Sequence, residues 1–192
     1  MPGMQSPQDL LGMELKSIQS AEKQLSRAIP KLGKLASSAS VRKMLERRLE
    51  EGKRLANEVE DALDEIETTK KRPKNTVVEA LLEDINQHVD EIEDENMLDA
   101  ALIGEVQKLE HYCIAAWGTS ASLARLLEQP KVVKSMERAL KEGKQFDQEL
   151  TQLAEREINP KMLEGQGLED EDETEDEDED ETENEEEDED EE

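Results

Sequence analysis

Aromatic residues, cysteines and long apolar runs are scarce in this sequence. It has one Trp, one Tyr and one Phe, which are too few to supply the usual strand formers of a β-sandwich or barrel. The single cysteine, Cys113, excludes an intramolecular disulfide and is typical of a reducing compartment. No run approaches the ~20 apolar residues that span a bilayer, and the N-terminus lacks a secretory signal pattern. We therefore expect a cytoplasmic protein with no membrane partner.

Charge is distributed unevenly along the chain. The formal net charge is −28, and 21 acidic residues lie in residues 169–192, which leaves −7 for residues 1–168. Neither part has a basic patch of the kind that neutralises phosphates, so direct nucleic-acid binding is disfavoured. The acidic segment has no apolar face that could offset the entropy of ordering it. It predicts a disordered polyacidic tail over residues 163–192, after a folded domain over residues 1–162.

Good helix formers make up most of the remaining sequence, and apolar residues recur at helical spacing in four long segments. The first of these stripes consists of Leu11, Leu15, Ile18, Glu22, Leu25, Ile29, Leu32 and Ala36. The break at residues 37–40 is short enough to predict an antiparallel helix hairpin, and residues 76–92 predict a shorter crossover helix. Hairpin, crossover, hairpin is the connectivity of a ferritin-like four-helix bundle, so we predict an all-α fold of this class.

Polar residues interrupt each stripe near its middle. They are Glu22 in the first stripe, Arg48 and Glu51 in the second, Glu110 and Cys113 in the third, and Gly143 and Asp147 in the fourth. The four carboxylates could meet in one layer of the bundle, where such proteins bind two iron or manganese ions. Alternatively, because 52 of the 192 residues are acidic, some of these carboxylates lie near a stripe by chance and reach solvent at the helix flank.

Several stretches resemble the YciE/YciF family of ferritin-like proteins. They are SAEKQL at residues 20–25, AIPK at 28–31, LEE at 49–51, LDAALI at 98–103, QKLEHY at 107–112, IAAWGT at 114–119 and DQEL at 147–150. The resemblance covers residues 7–158. It implies a four-helix core with an additional helix, a link to bacterial stress responses, and a dinuclear metal centre. The residues that match the implied centre are Glu22, Glu51, Glu110, His111 and Asp147.

Three positions depart from the family pattern. Arg48 stands where the family has His, Cys113 where it has Glu, and Gly143 where it has another Glu. Arginine stays protonated in proteins and cannot ligate a metal, but it can neutralise Glu22 and either Glu51 or Asp147 through hydrogen bonds. Gly143 removes an oxygen donor and leaves room for the guanidinium. We therefore predict that a buried arginine–carboxylate network partly replaces the metal layer, with no cofactor bound.

Two further functions stay open. The five matching residues could still hold iron or manganese at reduced affinity, and His111 with Cys113 would favour zinc. As a lone histidine beside Glu110, His111 could instead be a flank residue bonded to a neighbour. The acidic tail is either a solubilising brush, an interaction segment for basic proteins, or a weak collector of divalent cations. We lean toward a non-enzymatic, stress-associated homodimer.

Four local features give further expectations. Gly118 predicts a close contact with another helix backbone, and Trp117 predicts a core or dimer-interface residue. His88 is expected at the surface of the crossover helix. The pair Asn159–Pro160 is expected to stop the fourth long helix.

Overall fold

The structure, a computed structural model, describes residues 6–66 and 73–165. The helices are α1 (Pro7–Leu35), α2 (Ala39–Glu65), α3 (Thr76–Asp90), α4 (Glu95–Leu126), α5 (Pro130–Leu153), a π-helical turn (Ala154–Ile158) and α6 (Asn159–Gly165). These ranges contain no strand. The predicted all-α fold is confirmed. Residues 166–192 of the predicted tail, and residues 68–72 of the basic loop that the sequence predicts over residues 68–75, lie outside the described residues.

The long helices form two antiparallel pairs. Helices α1 and α2 pack along each other, as do α4 and α5, and the pairs meet through α1 against α4 and α2 against α5. The shorter α3 joins the pairs and lies against α4 and α1. This arrangement is a four-helix bundle with one crossover helix, as predicted. None of the described helices is long and apolar enough to cross a membrane.

Side-chain hydrogen bonds fix the start of α1 and the turn between α1 and α2. Ser6 and Asp9 form a reciprocal capping box around the first turn of α1. At the other end, the Asp99 carboxylate of α4 accepts hydrogen bonds from the backbone N–H groups of Ser37 and Ser38, at 2.9 and 2.7 Å. This buried carboxylate joins the α1–α2 turn to the second pair and fixes the relative height of the two pairs.

The buried face of α5 differs from the predicted stripe. The sequence predicts a stripe of Val133, Met136, Leu140, Gly143, Asp147, Leu150 and Ala154 on this helix. Met136, Gly143 and Leu150 are buried as predicted, but Val132, Ala139 and Phe146 are buried in place of Val133, Leu140 and Asp147, which are only partly buried. The prediction was therefore wrong by one residue at these three alternate positions. Phe146 explains the rotation, because burying an aromatic ring is more favourable than burying a carboxylate at the neighbouring position.

Two further expectations are also wrong, one about the end of a helix and one about a close contact between helices. Asn159 and Pro160 do not stop the chain's helical course, because a π-helical turn leads directly into α6. Pro160 lies in the first turn of α6, where a proline's missing N–H is tolerated. Gly118 makes no close contact, since a Cβ at this residue would meet no described atom beyond its own helix within 4 Å.

Candidate functional site

A charged layer lies at the centre of the bundle and is formed by Glu22, Arg48 and Glu110, here called the Arg48 layer. These residues come from the middle of α1, α2 and α4, and their side chains are 1%, 4% and 3% exposed. They lie on the inward faces of their helices, between buried leucines such as Leu25 and Leu45. The predicted convergence of mid-helix polar residues therefore holds for these three.

The guanidinium of Arg48 contacts both carboxylates. Its Nη1 and Nη2 atoms donate to the two oxygens of Glu22, each at 3.1 Å, which makes this pair bidentate. Its Nε donates to Glu110 Oε2 at 2.6 Å. The guanidinium also lies over Trp117, with its central carbon 5.4 Å from the ring centroid, so it gains a cation–π contact as well.

Two glycines make the space for this layer. A Cβ at Gly52 would lie 2.5 Å from Glu22 Oε2 and 2.7 Å from Arg48 Nη1. A Cβ at Gly143 would lie 2.5 Å from both Glu110 Oε1 and the Trp117 ring. The prediction that Gly143 leaves room for the guanidinium is therefore wrong. Gly143 makes room for Glu110 and Trp117, and Gly52 is the glycine that accommodates the guanidinium.

Burial and charge act on each group in the layer. Burial by itself lowers the pKa of Arg48, but the charges of Glu22 and Glu110 outweigh it and hold the pKa well above its ordinary value. Burial raises the pKa of Glu110, against the opposing effect of Arg48. Burial, aided by the charge of Glu22, raises the pKa of the Cys113 thiol, which is therefore neutral. The layer holds a permanent cation and no thiolate.

The other three predicted ligands make no hydrogen bond to Arg48. Glu51 is partly buried and lines a small cavity beside Arg48 and Glu110, but its ion pair is with Arg47, one turn earlier on the same helix and 3.7 Å away. His111 is 66% exposed, and its Nε2 lies 3.0 Å from Asp147 Oδ1. Asp147 also accepts a hydrogen bond from Gln107 Nε2 at 3.0 Å. His111 is therefore a flank residue bonded to a neighbour, and the structure does not bring the five predicted ligands together.

These residues do not fit a dinuclear metal centre. Both carboxylate oxygens of Glu22 and one oxygen of Glu110 accept hydrogen bonds from Arg48 and are therefore not available as metal ligands. The guanidinium competes with a divalent ion for these three oxygens, because two like charges close together repel each other strongly in a medium of low dielectric constant. Without a histidine at residue 48, the layer also lacks a nitrogen donor.

One carboxylate oxygen in the layer can still accept a hydrogen bond. Glu110 Oε1 is buried and accepts no hydrogen bond from the described residues. Beside it lies a cavity of about 10 Å³, lined by Arg48, Glu51, Trp117 and Gly143 among others. A cavity of this volume holds about one water molecule, which would satisfy the carboxylate oxygen.

A second cluster of ionisable groups lies at the surface between α3 and α4. It consists of Asp84, His88, Glu105 and Lys108, here called the His88 cluster. His88 Nδ1 lies 2.9 Å from Glu105 Oε1, which also accepts a hydrogen bond from Lys108 Nζ at 2.7 Å. His88 Nε2 lies 3.7 Å from Asp84 Oδ1. The surface position of His88 was predicted; its partners were missed, although Asp84 and His88 have the i, i+4 spacing of a helical pair.

The comparison with known proteins assigns the chain to a family. A profile of the domain of unknown function DUF892 matches residues 6–163. The chain belongs to this family. It is 35% identical over 159 residues to protein YciF of Escherichia coli K12, covering 82% of this chain and 96% of YciF. The predicted membership of the YciE/YciF family is therefore confirmed.

Solved structures of relatives share the fold. The crystal structure of the E. coli stress protein YciF matches with a TM-score of 0.76 and 35% identity, over 81% of this chain and 99% of that one. YcfI of Rhodopseudomonas palustris, a proposed structural protein, matches with a TM-score of 0.72 and 27% identity, over 77% and 94%. A Xanthomonas campestris protein at 17% identity, with a TM-score of 0.68 over 84% and 99%, supports the fold alone.

Proposed function

We propose that this protein is a non-enzymatic, stress-associated structural protein. In it, Arg48 stabilises the bundle in place of the iron or manganese ions that such bundles bind. The observation that carries the proposal is the contact of one buried guanidinium with both Glu22 and Glu110. A divalent ion in a bundle neutralises facing carboxylates and ties their helices together. Arg48 does the same for α1, α2 and α4, through three hydrogen bonds and one fixed charge.

The replacement removes reactivity while keeping the fold. A guanidinium has no open coordination position, does not change oxidation state and does not lose its proton in proteins. The neutral thiol of Cys113 adds no nucleophile to the layer. The relatives support the wider role, because YciF is described as a stress protein and YcfI as a proposed structural protein.

Metal analysis of a matched pair of proteins tests this proposal. Wild-type protein and the Arg48→His variant are purified without chelators, incubated with Fe(II) or Mn(II), desalted and analysed for metal. We expect little metal in the wild type and a gain in Arg48→His, because histidine restores a nitrogen donor and removes the fixed charge. Near-stoichiometric metal in the wild type would overturn the proposal.

A second candidate function is binding of one metal ion beside Arg48. The observation that favours it is the unpaired Glu110 Oε1 beside a small cavity that Glu51 also lines. The variants Glu51→Gln and Glu110→Gln separate the two candidates. If the wild type binds one ion and both variants lose it, the single-ion function is correct; if ion content is low and unchanged in all three proteins, the structural function stands.

A further inference from the structure

The outer face of α1 carries a row of positive charges. Lys23, Arg27, Lys31 and Lys34, here called the basic stripe, are spaced by four, four and three residues and so lie on one face of the helix. All four are exposed, while the core residues of the same helix face the opposite way. Residues 23–43 contain no Asp or Glu. This is an uninterrupted basic surface on a strongly acidic chain.

Most of this surface has no acidic partner in the folded domain. Lys23 pairs with Glu60 at 3.3 Å. Within residues 6–66 and 73–165, Arg27, Lys31 and Lys34 have no acidic group at ion-pair distance. By contrast, Arg47 and Arg54 on α2 are bound to Glu149 and Glu142. The basic stripe therefore retains charge that the described domain does not neutralise.

The π-helical turn that precedes the last described helix lies near one end of this stripe. Ser40, just after the α1–α2 turn, donates a hydrogen bond to Glu157 Oε2 at 3.1 Å in the π-helical turn that precedes α6. Lys34 lies at the same turn, in the last turn of α1. The chain therefore reaches its last described residues at the end of the bundle where the stripe ends.

The length and charge of the C-terminal segment match the stripe. The 27 residues that follow Gly165 can extend by at most about 90 Å, whereas residues 23–34 of a helix span only about 17 Å. The segment carries 21 acidic residues between residues 169 and 192. Because it is tethered to the same domain, its effective concentration at the stripe is in the millimolar range.

We propose that residues 169–192 bind the basic stripe of their own chain. The contact is a screened attraction between many acidic groups and three or four cations. It covers the stripe and so keeps other polyanions away from it, and basic proteins that capture the tail would expose the stripe. This regulation acts on the surface of α1 and does not depend on the buried Arg48 layer.

Paramagnetic relaxation in NMR spectra tests the proposal on the full chain. A spin label is attached at Thr182→Cys in a Cys113→Ser background, since the native Cys113 is a free, buried thiol. We expect at least about a twofold loss of signal for the backbone N–H groups of residues 27–29 and 31–35, because tethering favours the bound state. The outer face of α5 should keep its signals. At about 1 M salt, where the Debye length is about 3 Å, the loss should vanish.

Matched charge variants show whether the stripe itself is the binding surface. The triple variant Arg27→Gln, Lys31→Gln and Lys34→Gln should abolish the signal loss on α1. The control variant Lys134→Gln, Lys141→Gln and Lys144→Gln removes three exposed charges from α5 and should leave it unchanged. Signal loss spread evenly over the domain, or loss that persists in the stripe variant, would overturn the proposal.

A mixing experiment distinguishes binding of the tail to its own chain from binding to a second molecule. Isotope-labelled protein without a spin label is mixed with spin-labelled protein that carries no isotope. We expect full signals from α1 in this mixture, since the contact lies within one chain. Loss on α1 of the same size as in the doubly labelled protein would show that the tail binds a second copy, and would overturn the proposal.

Discussion

The Arg48 layer and the His88 cluster each place a cation between carboxylates, but the first is buried in the bundle and the second lies at its surface. The three side chains of the Arg48 layer are at most 4% exposed, whereas in the His88 cluster Asp84 and His88 are 49% and 46% exposed and only Glu105, at 8%, is buried. In the bundle interior, removing the cation would leave two carboxylates without solvent to stabilise them. At the surface, water and salt can take over the role of His88. The same contacts are thus indispensable in one region and dispensable in the other.

The two regions also differ in the kind of cation. Arginine keeps its charge at any ordinary pH, while a histidine gains or loses its charge near neutral pH. A buried carboxylate pair that needs constant compensation requires the first kind. The surface pair between α3 and α4 tolerates the second kind, so pH and substitution should affect the two regions differently.

The largest effect should follow from Arg48→Ala. This change leaves Glu22 and Glu110 buried without their cation, and we expect a loss of about 3–5 kcal/mol in the free energy of unfolding. Urea denaturation measures it. The control is the triple variant Glu22→Leu, Arg48→Met and Glu110→Leu, which removes all charges and should recover much of the stability. Unchanged stability of Arg48→Ala would contradict the role of the layer.

A smaller effect should follow from Gly52→Ala. The added methyl group would displace Glu22 or Arg48 from their hydrogen bonds, so we expect a loss of about 1–3 kcal/mol. Gly104→Ala is the matched control, because a Cβ there meets no described atom beyond its own helix within 4 Å and residue 104 is exposed. Helix propensity predicts that this control gains up to about 1 kcal/mol. Thermal unfolding of the two variants should therefore shift in opposite directions.

A still smaller, pH-dependent effect should come from His88. Its hydrogen bond to Glu105, with the charge of Asp84, raises the pKa of His88 above its ordinary value. Protonated His88 therefore stabilises the folded state below the pKa of the unfolded chain, and this contribution is lost as pH rises through the folded pKa. The melting temperatures of wild type and His88→Gln should differ near pH 6 and converge above about pH 8. A constant difference across this range would exclude the protonation mechanism.

The last prediction concerns how readily a solvent-borne reagent reaches the Arg48 layer. Cys113 is buried within it, and burial raises the pKa of its thiol. Reaction with a thiol reagent near pH 8 should be on the order of a thousandfold slower in the native protein than in urea, because it requires opening of the bundle. Labelling at comparable rates in both states would show that the layer is open to solvent.

The sequence predicted the layer's composition better than its geometry. The stripes placed Glu22 and Arg48 on the buried face, because they stand among apolar residues at helical spacing. Glu110 lies one position off its stripe, and the sequence left open whether it joins the layer or reaches solvent. The same reasoning misplaced Asp147, since in α5 a shift of one residue exchanges it for Phe146 at the buried face. Gly52 and Trp117 were missed as parts of the layer, because a sequence does not show which atoms approach a residue from other helices.

The all-α bundle and the helix order follow from the sequence alone, since helical periodicity and short turns are local properties of the chain. The family resemblance came from sequence motifs, such as those at residues 20–31 and 98–119. Contacts between helices decide which carboxylates Arg48 binds, and they leave Glu51 paired with Arg47 and His111 bonded to Asp147 instead. The physical reason is that rotation of each helix about its axis is set by packing between helices. A rotation of one residue moves a side chain about 100° around the helix, enough to take a carboxylate from the core to the flank.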